Sequence, residues 1–175
     1  HVQNGNNVTV LDDNARADID HRFSDWSQQG YRVLGIAQKS LQAKAVYGRL
    51  DEDAMAFMGF LLFFDPPEPG VRQTLDGLRR LGVNIKIITG DNRLVARHVA
   101  ESVGMSVNRI MTGKELLSLN DESLWQQAPL VTVFAEVDPN QKERIILALQ
   151  KTGHVVGYLG DGINDAPALY AADVG

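Results

Sequence analysis

The first third of the chain combines one helical period with two longer apolar runs. Three apolar side chains recur at helical spacing, Ile19, Phe23 and Trp26. This spacing predicts a helix over residues 18–29, which Gly30 is placed to end. Residues 31–39 and 55–64 are mostly apolar and predict two strands that pair antiparallel across a polar link. The opening segment therefore has an α+β pattern.

A run of turn-forming residues separates this segment from the rest of the chain. Residues 65–70 read DPPEPG, and neither a helix nor a central strand accommodates three prolines and a glycine so close together. We therefore predict a domain boundary here, between residues 1–64 and residues 65–175.

Beyond the boundary, short apolar runs alternate with helical periods. Strands are predicted at residues 84–89, 130–135 and 154–159. Helices are predicted at residues 71–81, 93–103, 114–119, 121–127, 140–151 and 164–170. Helices between strands are typical of a parallel sheet that is covered on both faces, so this segment is predicted to be α/β. Binding sites in such sheets lie at the carboxyl ends of the strands.

Composition narrows the classes of partner. A net charge of −5 and a pI near 5.3 argue against a nucleic-acid-binding surface. The absence of cysteine excludes disulfides and thiolate zinc sites, and the four histidines have no metal-ligand spacing. The longest apolar run, residues 54–64, is shorter than the ~20 residues of a membrane-spanning helix. Because the chain lacks an initial methionine and stops after what resembles a strand start, we expect a longer parent polypeptide.

Polar clusters follow each of the three predicted strands. Thr89 and Gly90 follow the first, Lys142 lies on the first turn of the helix after the second, and Asp161 and Asp165 lie in a glycine loop after the third. Two carboxylates about 4 Å apart would repel each other by roughly 4 kcal/mol at a dielectric of about 20, so a cation is expected beside them. Carboxylate oxygens with room for water suit Mg²⁺. Hydroxyl, backbone amides, lysine and magnesium at one sheet edge together predict a phosphoryl-transfer site.

Taken alone, each cluster has a simpler interpretation. The run TGDN is typical of an ordinary turn, and a single lysine such as Lys142 is typical of a solvated helix position. A calcium loop that starts at Asp161 fails, because Ile163 and Ala172 stand where oxygen ligands are required. A P-loop is excluded, because no Gly-x-x-x-x-Gly-Lys-Ser/Thr occurs.

Four motifs stand in a fixed order along the second segment. They are Asp65-Pro66-Pro67, Thr89-Gly90-Asp91, Phe134-Ala135 with Pro139 and Lys142, and the run GDGINDAPAL at residues 160–169. Together they resemble the phosphorylation-domain motifs of P-type cation-transporting ATPases, members of the haloacid dehalogenase superfamily. The residues on either side of the last motif are most similar to bacterial magnesium-transporting members.

The resemblance implies a fold class and a function. Residues 65–175 would be the C-terminal part of a Rossmann-like α/β phosphorylation domain, and residues 1–64 an α+β, antiparallel-sheet segment of the nucleotide-binding domain. The chain would then be a cytoplasmic catalytic segment of a magnesium-transporting pump, at the inner face of the cell membrane as part of an integral membrane protein. Its partners would be ATP, the transported cation and the missing domains of the same polypeptide, with no nucleic acid.

The resemblance also implies roles for individual residues. The catalytic residues would be Thr89, Gly90, Lys142 and Asp165, the residues that bind ATP or Mg²⁺ as cofactor would be Asp91, Asn164 and Asp65, and the metal ligands would be Asp161 and Asp165. In this scheme Thr89 and Gly90 bind phosphoryl oxygens, and Lys142 neutralises the aspartyl phosphate. Glu68 and Glu136 stand where the family usually has basic residues, a departure that bears on nucleotide affinity more than on phosphoryl chemistry.

The family nucleophile, the aspartate of Asp-Lys-Thr-Gly-Thr, is absent from this sequence. Its strand would occupy the centre of the sheet, so the predicted phosphorylation domain is incomplete. Two Asp-x-Asp strings, residues 18–20 and 51–53, do not end an apolar strand and are rejected as substitutes. We therefore predict that this chain alone does not autophosphorylate and that it binds Mg²⁺ weakly. A soluble phosphatase of the same superfamily and a non-enzymatic phosphate-binding module remain as alternatives.

Overall fold

The computed structural model describes residues 1–4, 7–43, 46–160 and 162–175. These residues divide into two compact units, His1–Asp65 and Pro66–Gly175, and each unit has its own sheet. Across the described ranges, no helix combines the length and the apolar character that a membrane crossing requires.

The N-terminal unit is a four-stranded sheet with one long helix. Its elements are β1 (Val2–Asn4), β2 (Asn7–Thr9), α1 (Asp13–Gln28), β3 (Arg32–Gln38) and β4 (Ala56–Phe63), with a 3₁₀ turn at Arg49–Asp51. The sheet order is β2-β1-β4-β3, in which β1 runs parallel to β4 and the other neighbours are antiparallel. The predicted antiparallel strand pair is confirmed as β3 and β4.

Helix α1 starts earlier than its apolar period suggests. Asp12 caps the helix, because its side chain accepts the Ala15 N–H at 2.8 Å. The predicted start at residue 18 was too late, since the first apolar position of the period is Ile19. Near the other end, the Trp26 ring meets Phe60 of β4 edge to face at 5.4 Å, so α1 packs on the sheet through this aromatic pair.

The C-terminal unit alternates helices with three short strands. Its elements are α2 (Val71–Arg80), β5 (Ile87–Ile88), α3 (Arg93–Ser102), β6 (Ile110–Thr112), α4 (Gly113–Ser118), α5 (Asp121–Gln127), β7 (Val133–Ala135), α6 (Pro139–Lys151) and α7 (Ala166–Ala171), with 3₁₀ turns at Ala128–Leu130 and Ile163–Asp165. The sheet order is β5-β7-β6, and both neighbouring pairs are parallel. The predicted α/β arrangement with a parallel sheet is confirmed.

Helices cover both faces of this sheet, and the central strand β7 shows why. Its side chains alternate between the faces, so Phe134 joins the apolar cluster formed with α4, α5 and α6, whereas Val133 and Ala135 join the cluster formed with α3. All three residues are fully buried. A continuous apolar run is what a parallel strand with two covered faces requires.

Three strand predictions in this unit need correction. Residues 154–159 do not form a strand, and the segment makes one parallel bridge, from Gly157 to Val174. The third strand of the sheet is instead β6, which was missed because a run of three residues before Gly113 is too short to stand out as a period. The predicted strands 84–89 and 130–135 shorten to Ile87–Ile88 and Val133–Ala135.

Candidate functional site

The loop after β5 holds Thr89, Gly90 and Asp91 in a hydrogen-bonded turn. Thr89 Oγ1 donates to Asp91 Oδ2 at 3.2 Å and accepts the Asp91 N–H at 3.1 Å. These two residues are half-buried, whereas Gly90 is exposed. Asn92 then caps α3, because its side chain accepts two backbone N–H groups of the first turn at 3.0 Å.

The loop after β7 is tied to this turn by Glu136 and Val137. The Glu136 N–H donates to Asp91 O at 2.9 Å, and the Val137 N–H donates to Thr89 O at 3.2 Å. The Glu136 carboxylate also accepts the N–H of Arg93, the first residue of α3, at 3.1 Å. Glu136 has a φ of 58°, a conformation that is uncommon for residues other than glycine. Protein groups therefore already occupy N–H groups at the helix start beside Gly90.

A capping box fixes the start of α6 and places Lys142 on its first turn. The Asp138 side chain accepts the Gln141 N–H at 2.8 Å, and the Gln141 side chain accepts the Asp138 N–H at 3.0 Å. Gln141 Nε2 also donates to Gly113 O at 3.1 Å, which joins α6 to the start of α4. Lys142 thus extends from a helix end that is held on two sides.

The Lys142 side chain forms an ion pair with Asp165, which lies in the 3₁₀ turn of the glycine loop. Their Nζ and Oδ1 atoms are 2.7 Å apart, and the side chains are only 12% and 13% exposed. The Tyr158 hydroxyl donates to the same Asp165 oxygen at 2.8 Å, and the Gly162 N–H donates to Oδ2 at 3.2 Å. The structure therefore brings together two predicted site residues that lie 23 positions apart in sequence.

These contacts set the charge state of the Asp165 carboxyl group. The hydrogen bond from Lys142, and then that from Tyr158, lower the pKa of Asp165, although burial acts in the opposite direction. Burial, followed by the bond to Asp165, raises the pKa of Tyr158. At neutral pH the site therefore holds a carboxylate between an ammonium donor and a neutral phenol donor.

Of the two predicted metal ligands, Asp161 and Asp165, the structure describes only Asp165. Among the described residues, no group of three or more histidine, aspartate or glutamate side chains could hold a metal ion. Oδ1 of Asp165 accepts two protein donors, one of them an ammonium group, and Oδ2 accepts the Gly162 N–H at 3.2 Å. Asp161, the other predicted ligand, lies outside the described residues.

Two further predicted site residues, Asn164 and Asp65, are exposed. Asn164 lies in the 3₁₀ turn Ile163–Asp165, and Asp65 is the last residue of the N-terminal unit. Sequence reasoning missed Tyr158, although a phenol in an apolar stretch directly before the loop is a usable signal. It also missed Gln141, which stands three residues after a helix-capping aspartate, as a capping box requires.

A family model for haloacid dehalogenase-like hydrolases matches residues 4–173 of the chain. The chain belongs to this family. This haloacid dehalogenase-like hydrolase has a parallel sheet, with Thr89 and Asp91 in the loop after β5.

Several curated proteins are similar to this haloacid dehalogenase-like hydrolase over nearly its whole length. The magnesium-transporting ATPase, P-type 1, of Salmonella typhimurium is 39% identical over 175 residues, which is 99% of this chain and 19% of that protein. The protein of the same name from Escherichia coli K12 is also 39% identical, over 99% of this chain and 20% of its own length. The cation-transporting ATPase pma1 of Synechocystis is 35% identical over 91% of this chain and 18% of its own length.

The chain thus spans about a fifth of the length of these curated relatives. The resemblance to P-type cation-transporting ATPases is confirmed, with magnesium-transporting ATPases among the similar proteins.

Proposed function

We propose that this chain is the catalytic segment of an ATP-driven cation pump of the magnesium-transporting type, which works through an aspartyl-phosphate intermediate. The observation that carries the proposal is the buried ion pair of Lys142 and Asp165, 2.7 Å apart. It fixes the positively charged ammonium group of Lys142 beside the glycine loop. Similarity to magnesium- and cation-transporting ATPases supports the choice of a pump.

The side chains have separate tasks in this proposal. Lys142 neutralises negative charge on the transferred phosphoryl group, and Asp165 holds its ammonium group in place. Thr89 and Gly90 hold phosphoryl oxygens through a hydroxyl and a backbone N–H. Catalysis of phosphoryl transfer consists mostly of such positioning and charge neutralisation, so none of these residues needs to form a covalent bond.

Nucleotide and metal binding are assigned to the remaining predicted residues. Asp161 and Asp165 would bind Mg²⁺, and Asp91, Asn164 and Asp65 would help to place the nucleotide and the metal. Bound Mg²⁺ would supply positive charge that neutralises the phosphate oxygens. Because the 175 residues contain no Asp-Lys-Thr-Gly-Thr, the nucleophilic aspartate would come from another part of the polypeptide.

The proposal also covers the setting of the chain. Residues 1–64 would be the C-terminal part of a nucleotide-binding domain, and residues 65–175 the C-terminal part of a phosphorylation domain. Both would lie at the cytoplasmic face of the inner membrane, within an integral membrane protein. The partners would be ATP, the transported cation and the other domains of the same polypeptide.

The test is phosphorylation of the full-length polypeptide by radiolabelled ATP with Mg²⁺. We expect a label that is stable in acid, is released by hydroxylamine and is lost in Lys142→Met. Lys114→Met changes an exposed lysine of α4 and serves as the matched control, which should keep the label. The 175-residue chain alone should take up no label.

Two other results would contradict the proposal. Turnover of p-nitrophenyl phosphate by the 175-residue chain alone would favour a soluble phosphatase of the same family. Binding of beryllium fluoride to the chain, unchanged in Asp161→Asn, would favour a non-enzymatic phosphate-binding module.

A further inference from the structure

Tyr158 is a side chain of this site that lies outside the four sequence motifs. It lies in the extended segment before the glycine loop, and its backbone N–H is fixed by a 2.8 Å hydrogen bond to Val174 O. Its half-buried hydroxyl donates to Asp165 Oδ1 at 2.8 Å, the same oxygen that accepts Lys142 Nζ at 2.7 Å. Tyr158 and Lys142 therefore share one acceptor atom.

The other sides of the Asp165 carboxylate are also occupied. The Gly162 N–H donates to Oδ2 at 3.2 Å. Gly160 packs so closely that a Cβ atom added to it would lie 2.8 Å from the Asp165 Cβ, Cγ and Oδ2 atoms. Together with Lys142 and Tyr158 on Oδ1, these neighbours restrict rotation of the carboxylate.

We propose that Tyr158 is a positioning residue of the phosphoryl-transfer site, which holds Asp165 in place while Lys142 turns toward the phosphoryl group. The inference rests on the proposed function, because it concerns the step in which Lys142 neutralises that group.

The shared oxygen gives the physical reason for this role. An ammonium group has three N–H donors, and the bond to Asp165 uses one of them. When Lys142 moves toward a phosphoryl oxygen, its bond to Asp165 lengthens, and a buried carboxylate oxygen without a donor is costly. The Tyr158 hydroxyl remains on Oδ1 and keeps that oxygen satisfied. Without the hydroxyl, Oδ1 would lose its remaining donor as Lys142 moves away, so Asp165 would hold Lys142 more tightly.

Tyr158→Phe removes the hydroxyl and keeps the ring. In the full-length polypeptide, we expect the rate of phosphoenzyme formation to fall about five- to tenfold, the size of effect that loss of one ordinary net hydrogen bond predicts. The KM for ATP should change by less than about twofold, because Tyr158 contacts Asp165 and is assigned no part in nucleotide binding.

Two control variants separate positioning from a general loss of stability. Tyr170→Phe makes the same chemical change at a tyrosine that is 91% exposed on α7, and its rate should equal that of the wild type. Val156→Ala weakens the packing of the same extended segment without removing a donor from Asp165, and it should lower stability in urea but not the rate. An equal loss of rate in Val156→Ala and Tyr158→Phe would overturn the inference.

The outcomes also distinguish this inference from the proposed function. A wild-type polypeptide that takes up no label overturns the proposed function, and the role of Tyr158 with it. If the wild type is labelled and Tyr158→Phe is labelled at the same rate, the inference alone is overturned.

A second measurement uses the 175-residue chain. The amide NMR signal of Gly162 should shift in Tyr158→Phe and stay in place in Tyr170→Phe. If the two variants give the same Gly162 signal, the shared-acceptor arrangement is contradicted.

Discussion

The two units of the chain differ in how completely they bury their apolar residues. In the C-terminal unit, side chains with 0% exposure lie on both faces of the sheet, among them Phe134, Leu116 and Val133. Among the described residues of the N-terminal unit, only Ser27 and Val33 are buried. Large apolar side chains of that unit stay between 40% and 56% exposed, at Leu34, Leu61, Leu62, Phe63 and Phe64.

The comparison shows that complete strand pairing does not by itself make a core. The pair β3 and β4 keeps its register from Arg32 to Gln38 with one irregularity, yet it covers little apolar area. Hydrophobic burial is the main source of stability, so we expect the N-terminal unit to be the less stable one. Each unit contains one tryptophan, Trp26 or Trp125, so the variants Trp125→Phe and Trp26→Phe allow fluorescence to follow each unit separately.

The largest expected effect is the loss of a central ring. Phe134→Ala should lower the unfolding free energy reported by Trp125 by about 3–5 kcal/mol, because the ring is fully buried and leaves a cavity. Phe60→Ala, at a half-buried ring of the N-terminal unit, should cost about 1–2 kcal/mol by the Trp26 signal. If urea denaturation gave equal losses of unfolding free energy for Phe134→Ala and Phe60→Ala, the proposed difference between the two units would be wrong.

The second effect tests the buried ion pair. Asp165→Asn should cost about 3 kcal/mol at pH 7, because it leaves Lys142 without its carboxylate. The folded pKa of Asp165 is lowered, so the stabilisation is present above the ordinary aspartate pKa and is lost as pH falls through the folded value. The unfolding free energies of wild type and variant should therefore converge below about pH 4.

Asp76→Asn is the control for this experiment. It breaks a pair with Arg79 whose side chains are 47% and 37% exposed, and it should change the unfolding free energy by less than about 1 kcal/mol at any pH. Curves for wild type and Asp165→Asn that stay parallel down to pH 3 would show that the pair does not titrate as described.

A third prediction contrasts two helical glycines of the C-terminal unit. A Cβ atom at Gly113 would collide with the Glu136 carbonyl oxygen and the Gln141 side chain, so Gly113→Ala should cost about 1–3 kcal/mol. Gly77 in α2 has open space around the same position, so Gly77→Ala should stabilise the unit by about 0.5–1 kcal/mol. The changes in unfolding free energy, followed by Trp125 fluorescence, should have opposite signs in the two variants. Changes of the same sign would contradict the prediction.

The smallest effect concerns the start of α4. Thr112 accepts the Glu115 N–H at 3.3 Å, and the Glu115 carboxylate accepts the Thr112 N–H at 2.6 Å. That backbone bond, and then the bond from the Thr112 hydroxyl, lower the pKa of Glu115. Thr112→Ala should cost about 1 kcal/mol and raise the pKa of Glu115, which NMR titration can measure. An unchanged pKa would show that the hydroxyl contributes nothing.

Local signals explain which parts of the fold could be predicted. Helix α5 was predicted with its observed bounds, because Asn120 caps its start and Pro129 follows its end. The start of α1 and the strand β6 were missed because a polar first turn and a run of three residues leave no apolar period. The segment 154–159 has the apolar run of a strand, but strand formation also needs a neighbour, which a local pattern does not specify.

The site divides in the same way. The proximity of Lys142 and Asp165 could be predicted, because both belong to polar clusters that follow predicted strands. The Tyr158 phenol had a usable signal that was overlooked, whereas no local signal predicts the contact of the Glu136 carboxylate with the Arg93 N–H, 43 residues away. The positive φ of Glu136 has the same origin, since neighbouring contacts rather than local preference hold that conformation.

The hydrogen bonds from Glu136 and Val137 to the β5 loop have a consequence for ligand affinity. Loops that must be ordered separately each lose conformational entropy when a ligand binds, at about 1–2 kcal/mol per fixed residue. Here two hydrogen bonds join the loop of Thr89 to the loop before Lys142, and Glu136 also accepts the N–H of Arg93 at the start of α3. A ligand that contacts both loops would bind to a preorganised site. The entropic cost of ordering the two loops would be paid during folding rather than during binding.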